Sequence, residues 1–153
     1  MKIALIVIAV VTYGAQIYAA LTFFAAEDSA AKTGKRIVSF VGATATGTSL
    51  FVLSGIEQQS PPGIIIALSL FAVSFSLFWW TFSVSSNVKF AFLGSADKPR
   101  VLVTSGPFRR VRHPFYASYI LGWIAPFAAA PSPLTLCILV TMSALYVVAS
   151  VRE

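Results

Sequence analysis

The chain of 153 residues is strongly apolar, with 58% hydrophobic residues, 10% charged residues and a mean hydropathy of +0.85. This composition excludes an ordinary soluble domain and predicts an integral membrane protein with a single domain, residues 1–153. The net charge of +6 is typical of basic loops between apolar spans rather than of nucleic-acid binding. The single cysteine, Cys137, excludes an intramolecular disulfide.

Charge-free windows predict the membrane helices in chain order. Each of the first three charge-free windows is long enough to cross the membrane, since roughly 20 apolar residues cross the hydrocarbon core. The fourth window, Pro114 to Val151, is too long for one helix and contains Pro131-Ser132-Pro133, where proline ends one helix and begins the next. We therefore expect an all-α, polytopic fold with five transmembrane helices, the last two forming a helical hairpin. The predicted spans are residues 3–26, 37–56, 62–86, 115–130 and 132–151.

The fourth span is the shortest and contains Pro126, so we expect a kink or a shielded end there. The second span carries a run of small residues from Gly42 to Ser49. Small residues let helices approach closely, and we interpret this run as a packing surface. Gln16 is the amide of the first span, and the sequence identifies no partner for it.

Basic residues fall on one side of this arrangement. Every Lys and Arg except Lys2 lies in the first loop, in the loop 89–113 or in the C-terminal tail. The positive-inside tendency then predicts a cytosolic loop 89–113, an N-terminus outside and a cytoplasmic C-terminus. A cleaved signal peptide over the first span is the alternative, but cleavage would leave the next loops in the wrong order for these charges.

The segment before the hairpin concentrates polar side chains at the predicted membrane surface. Thr104 to Pro107 has the composition of a tight turn, and His113-Pro114 places an N-cap residue before proline at the first helical position. The free N–H groups of a helix start favour anions. Arg109, Arg110 and Arg112 add guanidinium donors suited to carboxylate or phosphate. This segment is the candidate active site.

Tyr116 and Tyr119 lie three residues apart at the start of the fourth helix, so their rings share a face and can line the same pocket. The residues alone leave a second interpretation open, in which the arginines only set topology, His113 is a helix cap and Tyr116 is an interfacial aromatic. With one histidine and one cysteine, the sequence offers no metal site.

The run PRVLVTSGPFRRVRHPFYASYILGW resembles the signature region of the isoprenylcysteine carboxyl methyltransferase family. In that family a Gly-Pro-aromatic-Arg turn leads to Arg-His-Pro-x-Tyr and a helical hairpin. The resemblance covers residues 100–153. Phospholipid methyltransferases are similar around the same segment, and membrane sterol reductases share a more distant version of it.

The resemblance implies an S-adenosylmethionine-dependent methyltransferase that modifies the carboxyl group of a prenylated or otherwise lipophilic acceptor. Arginines of the loop are expected to neutralise the acceptor carboxylate or the amino-acid end of the cofactor. The candidate catalytic residues are Arg109, Arg112 and Glu153. The candidate cofactor-binding residues are Gly106, Pro107, Arg112, His113, Pro114, Tyr116 and Ser118, of which Gly106 and Pro107 shape the loop.

The family also has a pair of glutamates after the last span, followed by a tail that closes the cofactor pocket. Glu153 matches the first glutamate, so a chain ending there is expected to keep its fold and to hold the cofactor in an open pocket. Two other functions remain open: a membrane NAD(P)H-dependent reductase of sterol-like substrates, and a non-enzymatic scaffold or transporter subunit.

Overall fold

The structure is a computed structural model, and it describes residues 1–22, 24–25, 29–55, 60–85, 90–91 and 104–152. Five α-helices make up most of this described part and form a bundle. They are α1 (Lys2–Thr22), α2 (Ser29–Gly55), α3 (Pro61–Ser85), α4 (Pro114–Ala129) and α5 (Pro133–Arg152). A 3₁₀ turn, Gly106–Arg109, precedes α4. The helical architecture expected from the charge-free windows is therefore confirmed.

Four of these helices, α1, α2, α3 and α5, are long and apolar enough to cross a membrane. The fifth, α4, has 16 residues, or about 24 Å at 1.5 Å per residue, which is shorter than the ~30 Å hydrocarbon core. Ten of its residues are buried against other parts of the bundle. A short helix can be accommodated in this way, because its ends contact protein rather than lipid.

The start of α2 differs from the expectation. The helix begins at Ser29, before the predicted membrane span 37–56, so Lys32, Lys35 and Arg36, which were assigned to the first loop, belong to a helix. Alanine and lysine are strong helix formers, and a helix can continue from lipid into water because its backbone hydrogen bonds are internal. The charge-free window found the apolar stretch of α2, Val38–Gly55, but not the whole helix.

A short backbone pairing lies outside the helices. Phe24 and Ala25, which follow α1, pair in parallel with Phe90 and Ala91, which follow α3. The pairing is two residues long, so the described fold is helical apart from it. Because the paired segments directly follow α1 and α3, the C-terminal ends of these two helices lie on the same side of the bundle.

The packing of α3 against α4 is the most extensive helix contact. Buried residues of α3 recur at alternating intervals of three and four, a heptad spacing that favours a small left-handed crossing angle. Near the start of α3 the two backbones approach closely, since a Cβ atom at Gly63 would lie 2.7 Å from the carbonyl oxygen of Ala128. The buried residues that continue the stripe are Ile64, Ala67, Phe71, Ser74, Phe78, Thr81 and Ser85.

Pro126 lies inside α4 and interrupts its hydrogen bonding. Proline has no N–H, so the carbonyl of Gly122, four residues earlier, loses its usual helical partner. The hydroxyl of Tyr13 in α1 donates to that carbonyl oxygen at 3.1 Å. A polar group from a neighbouring helix thus satisfies the backbone where lipid could not, and α1 is fixed against the middle of α4.

A second polar link crosses the bundle beside the first. The side-chain amide of Gln16 in α1 donates to Ser74 Oγ in α3 at 3.2 Å, and Ser74 Oγ donates to the carbonyl oxygen of Ser118 in α4 at 2.7 Å. All three residues are buried. The partner of Gln16 is therefore a residue far away in sequence, and the chain of hydrogen bonds joins three helices.

The connection between α4 and α5 is closed by reciprocal capping. Ser132 Oγ accepts the N–H of Thr135 at 3.1 Å, and Thr135 Oγ1 accepts the N–H of Ser132 at 3.0 Å. Thr135 Oγ1 also donates to the carbonyl oxygen of Ala130 at the end of α4. Pro133 occupies the first position of α5, where its missing N–H costs nothing. The Pro131-Ser132-Pro133 segment therefore ends α4 and begins α5, as predicted.

Candidate functional site

The 3₁₀ turn Gly106–Arg109 lies against the end of α3 and leads toward α4. Gly106 has φ +60, in the left-handed region that favours glycine, and a Cβ atom there would lie 2.8 Å from Val84 Cγ2. Pro107 is buried, and its carbonyl oxygen accepts the N–H groups of Arg110 and Val111, both at 3.0 Å. The Gly-Pro pair therefore forms a tight turn that packs closely against α3.

The start of α4 follows the predicted pattern. His113 is the N-cap residue and Pro114 is the first helical residue. The His113 side chain makes no capping hydrogen bond, whereas its carbonyl oxygen accepts the N–H of Ala117 at 3.1 Å. Phe115 and Tyr116 lie in the first turn of this helix. The positive end of the helix dipole favours a negative charge at this point.

Exposed arginine residues precede this helix start in the chain. Arg109, Arg110 and Arg112 are all exposed. His113 between them and the helix is partly buried, whereas Pro114 and Tyr116 are buried. The polarity thus changes from exposed guanidinium groups to buried aromatic rings within a few residues. This arrangement suits a ligand with an anionic end outside and a less polar end inside.

Aromatic rings continue from the helix start into the bundle. The His113 ring stacks on Tyr116 at a centroid distance of 5.5 Å and an interplanar angle of 18°. Tyr116 stacks on Tyr146 of α5 at 5.7 Å and 20°, and Tyr146 contacts Tyr119 at 5.3 Å. His113 therefore belongs to a row of stacked rings, with Tyr116 between the surface and the interior.

This row reaches a cavity of about 120 Å³ between α1, α2, α4 and α5. Along α4 the cavity extends from Tyr116 to Trp123, seven residues or about 10 Å of helix. None of its lining residues is charged. The lining residues are Tyr13, Gln16, Ile17, Ala20, Val38, Ser39, Gly42, Ala43, Thr46, Tyr116, Tyr119, Trp123 and Tyr146.

The structure separates the predicted site residues into three groups. Gly106 and Pro107 form the turn, Arg109 and Arg112 lie on the exposed surface, and His113, Pro114 and Tyr116 form the helix start. Ser118 is fully buried, donates from Oγ to the carbonyl oxygen of Phe115 at 2.7 Å, and does not line the cavity. Glu153 lies outside the described residues. No cluster of three or more potential metal ligands occurs within the described ranges.

Several residues of the cavity were not singled out as site residues by the sequence. Gly42, Ala43 and Thr46 of α2 were interpreted as packing residues, yet they line open space. A Cβ atom at Gly42 would have Met142 Cε, at 4.0 Å, as its nearest neighbour. Tyr146 is the aromatic residue that α5 contributes. A small-residue run predicts close approach or open space equally well, and only the positions of the neighbouring helices decide between them.

The helices and this site define a class, the multi-pass membrane protein with a polar site at one end of an apolar helix bundle. The sequence model of the phospholipid methyltransferase family matches residues 62–153, more than half of the chain. The chain belongs to the phospholipid methyltransferase family. The match takes in nearly all of α3 together with the 3₁₀ turn, α4 and α5, and so extends further toward the N-terminus than the resemblance over residues 100–153. Comparison with curated proteins and with solved structures finds no match.

Proposed function

We propose that this protein is an integral membrane methyltransferase that uses S-adenosylmethionine and methylates a carboxyl group of a prenylated or otherwise lipophilic acceptor. Membership of a methyltransferase family supports the reaction class. The observation that carries the proposal is the row of stacked rings from His113 through Tyr116 to Tyr146, which joins the helix start after the exposed Arg112 to a cavity without charged lining residues. Such an arrangement suits a reaction that joins a water-soluble donor to a lipophilic acceptor.

The residues present fit the cofactor. Its carboxylate matches the positive end of the α4 helix dipole and the exposed guanidinium group of Arg112. Its flat ring system matches the stacked surfaces of His113 and Tyr116. In this proposal Pro114 fixes the helix start, Gly106 and Pro107 shape the turn beside it, and Ser118 supports the site from within the helix.

When bound, the cofactor supplies a methyl group that is already activated by its sulfonium charge. The protein then has little acid–base work to do, and its residues hold donor and acceptor in line and exclude water. Arg109 and Arg112, both exposed, neutralise the acceptor carboxylate or the amino-acid end of the cofactor. Glu153 is proposed as a further catalytic residue on the resemblance alone.

The proposed topology has five transmembrane spans in one domain, with α4 and α5 as a membrane hairpin, the N-terminus outside and the C-terminus in the cytoplasm. The parallel pairing after α1 and α3 supports it, because both segments must lie on one side. The basic residues of the loop 89–113 favour the cytosol for that side. In a Cys137→Ala background, Ser105→Cys should be labelled from the cytosol and Ser60→Cys from outside; both wild-type serines are exposed. Reversed or mixed labelling would contradict this topology.

Calorimetric titration of the detergent-purified protein with S-adenosylhomocysteine tests the cofactor. His113→Ala or Tyr116→Ala should weaken binding by about tenfold, as expected for the loss of one hydrogen bond or stacking surface. Arg36→Ala is the matched control, because Arg36 is an exposed cation on a different helix. Equal losses in all variants would indicate a general charge effect. Binding of a nicotinamide cofactor instead would favour the reductase.

A further inference from the structure

A chain of hydrogen bonds fixes the orientation of the Gln16 side chain at the cavity wall. Ser74 Oγ lies 2.7 Å from the carbonyl oxygen of Ser118 and 3.2 Å from Gln16 Nε2. Two oxygen atoms at this separation need a proton between them, and a backbone carbonyl has none, so the Ser74 hydroxyl donates to Ser118. Ser74 can then only accept from Gln16, and the amide must turn its NH2 group toward Ser74.

The carbonyl oxygen of this amide, Gln16 Oε1, is left for the cavity. Gln16 is a lining residue, and Oε1 accepts no hydrogen bond from the described residues. On the same wall the Tyr119 hydroxyl and Trp123 Nε1 are fully enclosed by protein, whereas Oε1 keeps accessible surface. A molecule in the cavity can therefore reach Oε1 but not those two groups.

Oε1 also differs chemically from the hydroxyl groups of the wall. A hydroxyl both donates and accepts, and on α2 it can bond to its own helix, as Thr44 Oγ1 does to the carbonyl oxygen of Phe40. An amide oxygen can only accept. Because a buried acceptor without a donor is unfavourable, Oε1 favours an occupant that brings a donor into the cavity.

The volume and depth of the cavity limit this occupant. A volume of about 120 Å³ is below the roughly 300 Å³ of pockets that enclose whole ligands and close to the roughly 150 Å³ that accommodates benzene, so it takes one ring-sized part of a molecule. No lining residue is charged, so that part is uncharged. The Gln16 amide lies beside Gly122, where an added Cβ atom would be 3.5 Å from Nε2. Gly122 follows Pro114 by eight residues, or about 12 Å of helix.

We propose that the cavity binds an uncharged, ring-sized part of the acceptor that carries a hydroxyl or an amide N–H, and that this group donates to Gln16 Oε1. The proposal rests on the methyltransferase function proposed above and specifies its lipophilic acceptor. The donor group lies about 12 Å along α4 from the helix start, remote from the carboxyl group that is methylated. A hydrocarbon tail such as a prenyl group fills the space but leaves Oε1 without a partner. Gln16 then determines specificity, and Ser74 is its positioning residue.

The experiment compares cyclohexanol with cyclohexanone, two rings of nearly the same size of which only the alcohol has a donor. Binding to the detergent-purified protein is followed by the fluorescence of Trp123, a lining residue, in a Trp79→Phe/Trp80→Phe background that removes the exposed indoles. The alcohol should bind about tenfold more tightly, the effect of one buried hydrogen bond. Equal binding, or tighter binding of the ketone, would overturn the proposal, and this result does not depend on how a cavity variant folds.

Variants then separate recognition from packing. Gln16→Met keeps the length of the side chain but removes Oε1, so the ratio of alcohol to ketone affinity should fall to about one. Tyr13→Phe is the matched control, because Tyr13 is also a lining residue of α1 and donates across the bundle to Gly122. Its ratio should equal that of the parent, and partitioning into detergent cancels when ratios are compared. A preference that persists in Gln16→Met, or is lost equally in Tyr13→Phe, would overturn the role of Gln16.

Ser74→Ala tests how Gln16 is positioned. Without the Ser74 hydroxyl the amide can rotate and offer its NH2 group to the ketone, so the ratio should fall because the ketone binds more tightly. A purely structural role of Ser74 would weaken both probes alike and leave the ratio unchanged. That outcome would show that the hydrogen-bond chain does not orient the amide.

A pair of glycines in α2 tests whether the probes occupy this cavity. Gly42 lines it, and an added Cβ atom there finds its nearest neighbour only at 4.0 Å, so Gly42→Leu should fill the space and abolish binding of both probes. Gly47 is exposed and is not a lining residue, so Gly47→Leu should leave binding unchanged. The reverse would place binding elsewhere and overturn the proposal. Since neither probe requires the cofactor, a failure here is distinguishable from a failure of S-adenosylhomocysteine to bind.

Discussion

The two halves of the bundle are built differently. From α3 to α5 the helices are joined by a heptad stripe, by the close approach at Gly63 and by reciprocal capping of α5. In α2, by contrast, large apolar side chains such as Phe40 and Phe51 are about three-quarters exposed, at 74% and 75%. The family match covers the half from α3 to α5 and omits α1 and α2. The most extensive helix contact, between α3 and α4, thus lies within the part shared by the family.

The difference suggests that the two halves have different roles. The half from α3 to α5 positions the 3₁₀ turn and the start of α4, which are the parts proposed to hold the cofactor. The cavity lies at the junction of both halves, since α1 and α2 supply one wall and α4 and α5 the other. We therefore expect substitutions in α3 to α5 to affect stability and cofactor binding, and substitutions in α2 to affect the acceptor.

The largest effect is expected at the closest helix contact. Gly63→Ala places a Cβ atom 2.7 Å from the Ala128 carbonyl oxygen, and overpacking of this kind costs about 3 kcal/mol. Gly47→Ala in α2 meets no atom within 4 Å, so better helix propensity should stabilise it by about 0.5 kcal/mol. Unfolding of both variants in mixed detergent measures the difference. Similar changes at both positions would remove the contrast between the two halves.

The next largest effect is expected at the 3₁₀ turn before α4. Gly106→Ala introduces a side chain at φ +60 and against Val84, and the left-handed conformation alone costs about 1–2 kcal/mol. S-adenosylhomocysteine binding should weaken about tenfold, because the turn shifts relative to the start of α4. Val84→Ala in the same chain should restore part of the affinity by removing the contact. If Gly106→Ala binds normally, the turn takes no part in the site.

The sequence was most informative where a local rule determined the structure. Charge-free windows located the helices because crossing lipid requires long apolar segments, and His113-Pro114 predicted the start of α4 because cap and proline preferences act within a few residues. The same windows gave the apolar span of α2 but not its full length, since apolarity ends at the membrane surface whereas the helix extends back through Lys35 and Lys32.

The site was less predictable because its cavity depends on which helices are neighbours. The sequence did not predict the hydrogen bond between Gln16 and Ser74 or the stacking of Tyr146 on Tyr116, because these contacts join distant parts of the chain. The pairing of Tyr116 and Tyr119 was predictable from their spacing, and both line the cavity. That Gly42 of α2 lines the same cavity was not predictable, since a small residue is compatible both with close helix packing and with open space.

A smaller effect is expected at the junction of α4 and α5. Ser132→Ala removes the side chain that caps Thr135, and loss of an N-cap costs about 1 kcal/mol. Ser54→Ala near the end of α2 is the control, because Ser54 Oγ donates only to the carbonyl of Phe51 in its own helix and is exposed. Its cost should stay below about 0.5 kcal/mol. Unfolding in detergent measures both, and a neutral Ser132→Ala would show that the proline residues alone define the junction.

The smallest effect tests how α1 is attached to the tightly packed half. Tyr13 donates to the Gly122 carbonyl that Pro126 leaves without its helical partner, so the value of this hydrogen bond should depend on the proline. Tyr13→Phe should destabilise the parent chain by about 0.6 kcal/mol or somewhat more, the usual range for hydrogen bonds between membrane helices. Pro126→Ala restores a backbone N–H that can reach the same carbonyl, so Tyr13→Phe should then cost less.

A double-mutant cycle of Tyr13→Phe and Pro126→Ala isolates this coupling from the packing changes that each substitution also makes. Tyr18→Phe is the control for a tyrosine of α1, because Tyr18 is 62% exposed and should show no coupling to Pro126. If Tyr13→Phe costs the same with and without the proline, the hydroxyl contributes nothing specific to the interrupted helix. The attachment of α1 would then rest on apolar contacts and on the link from Gln16 to Ser74.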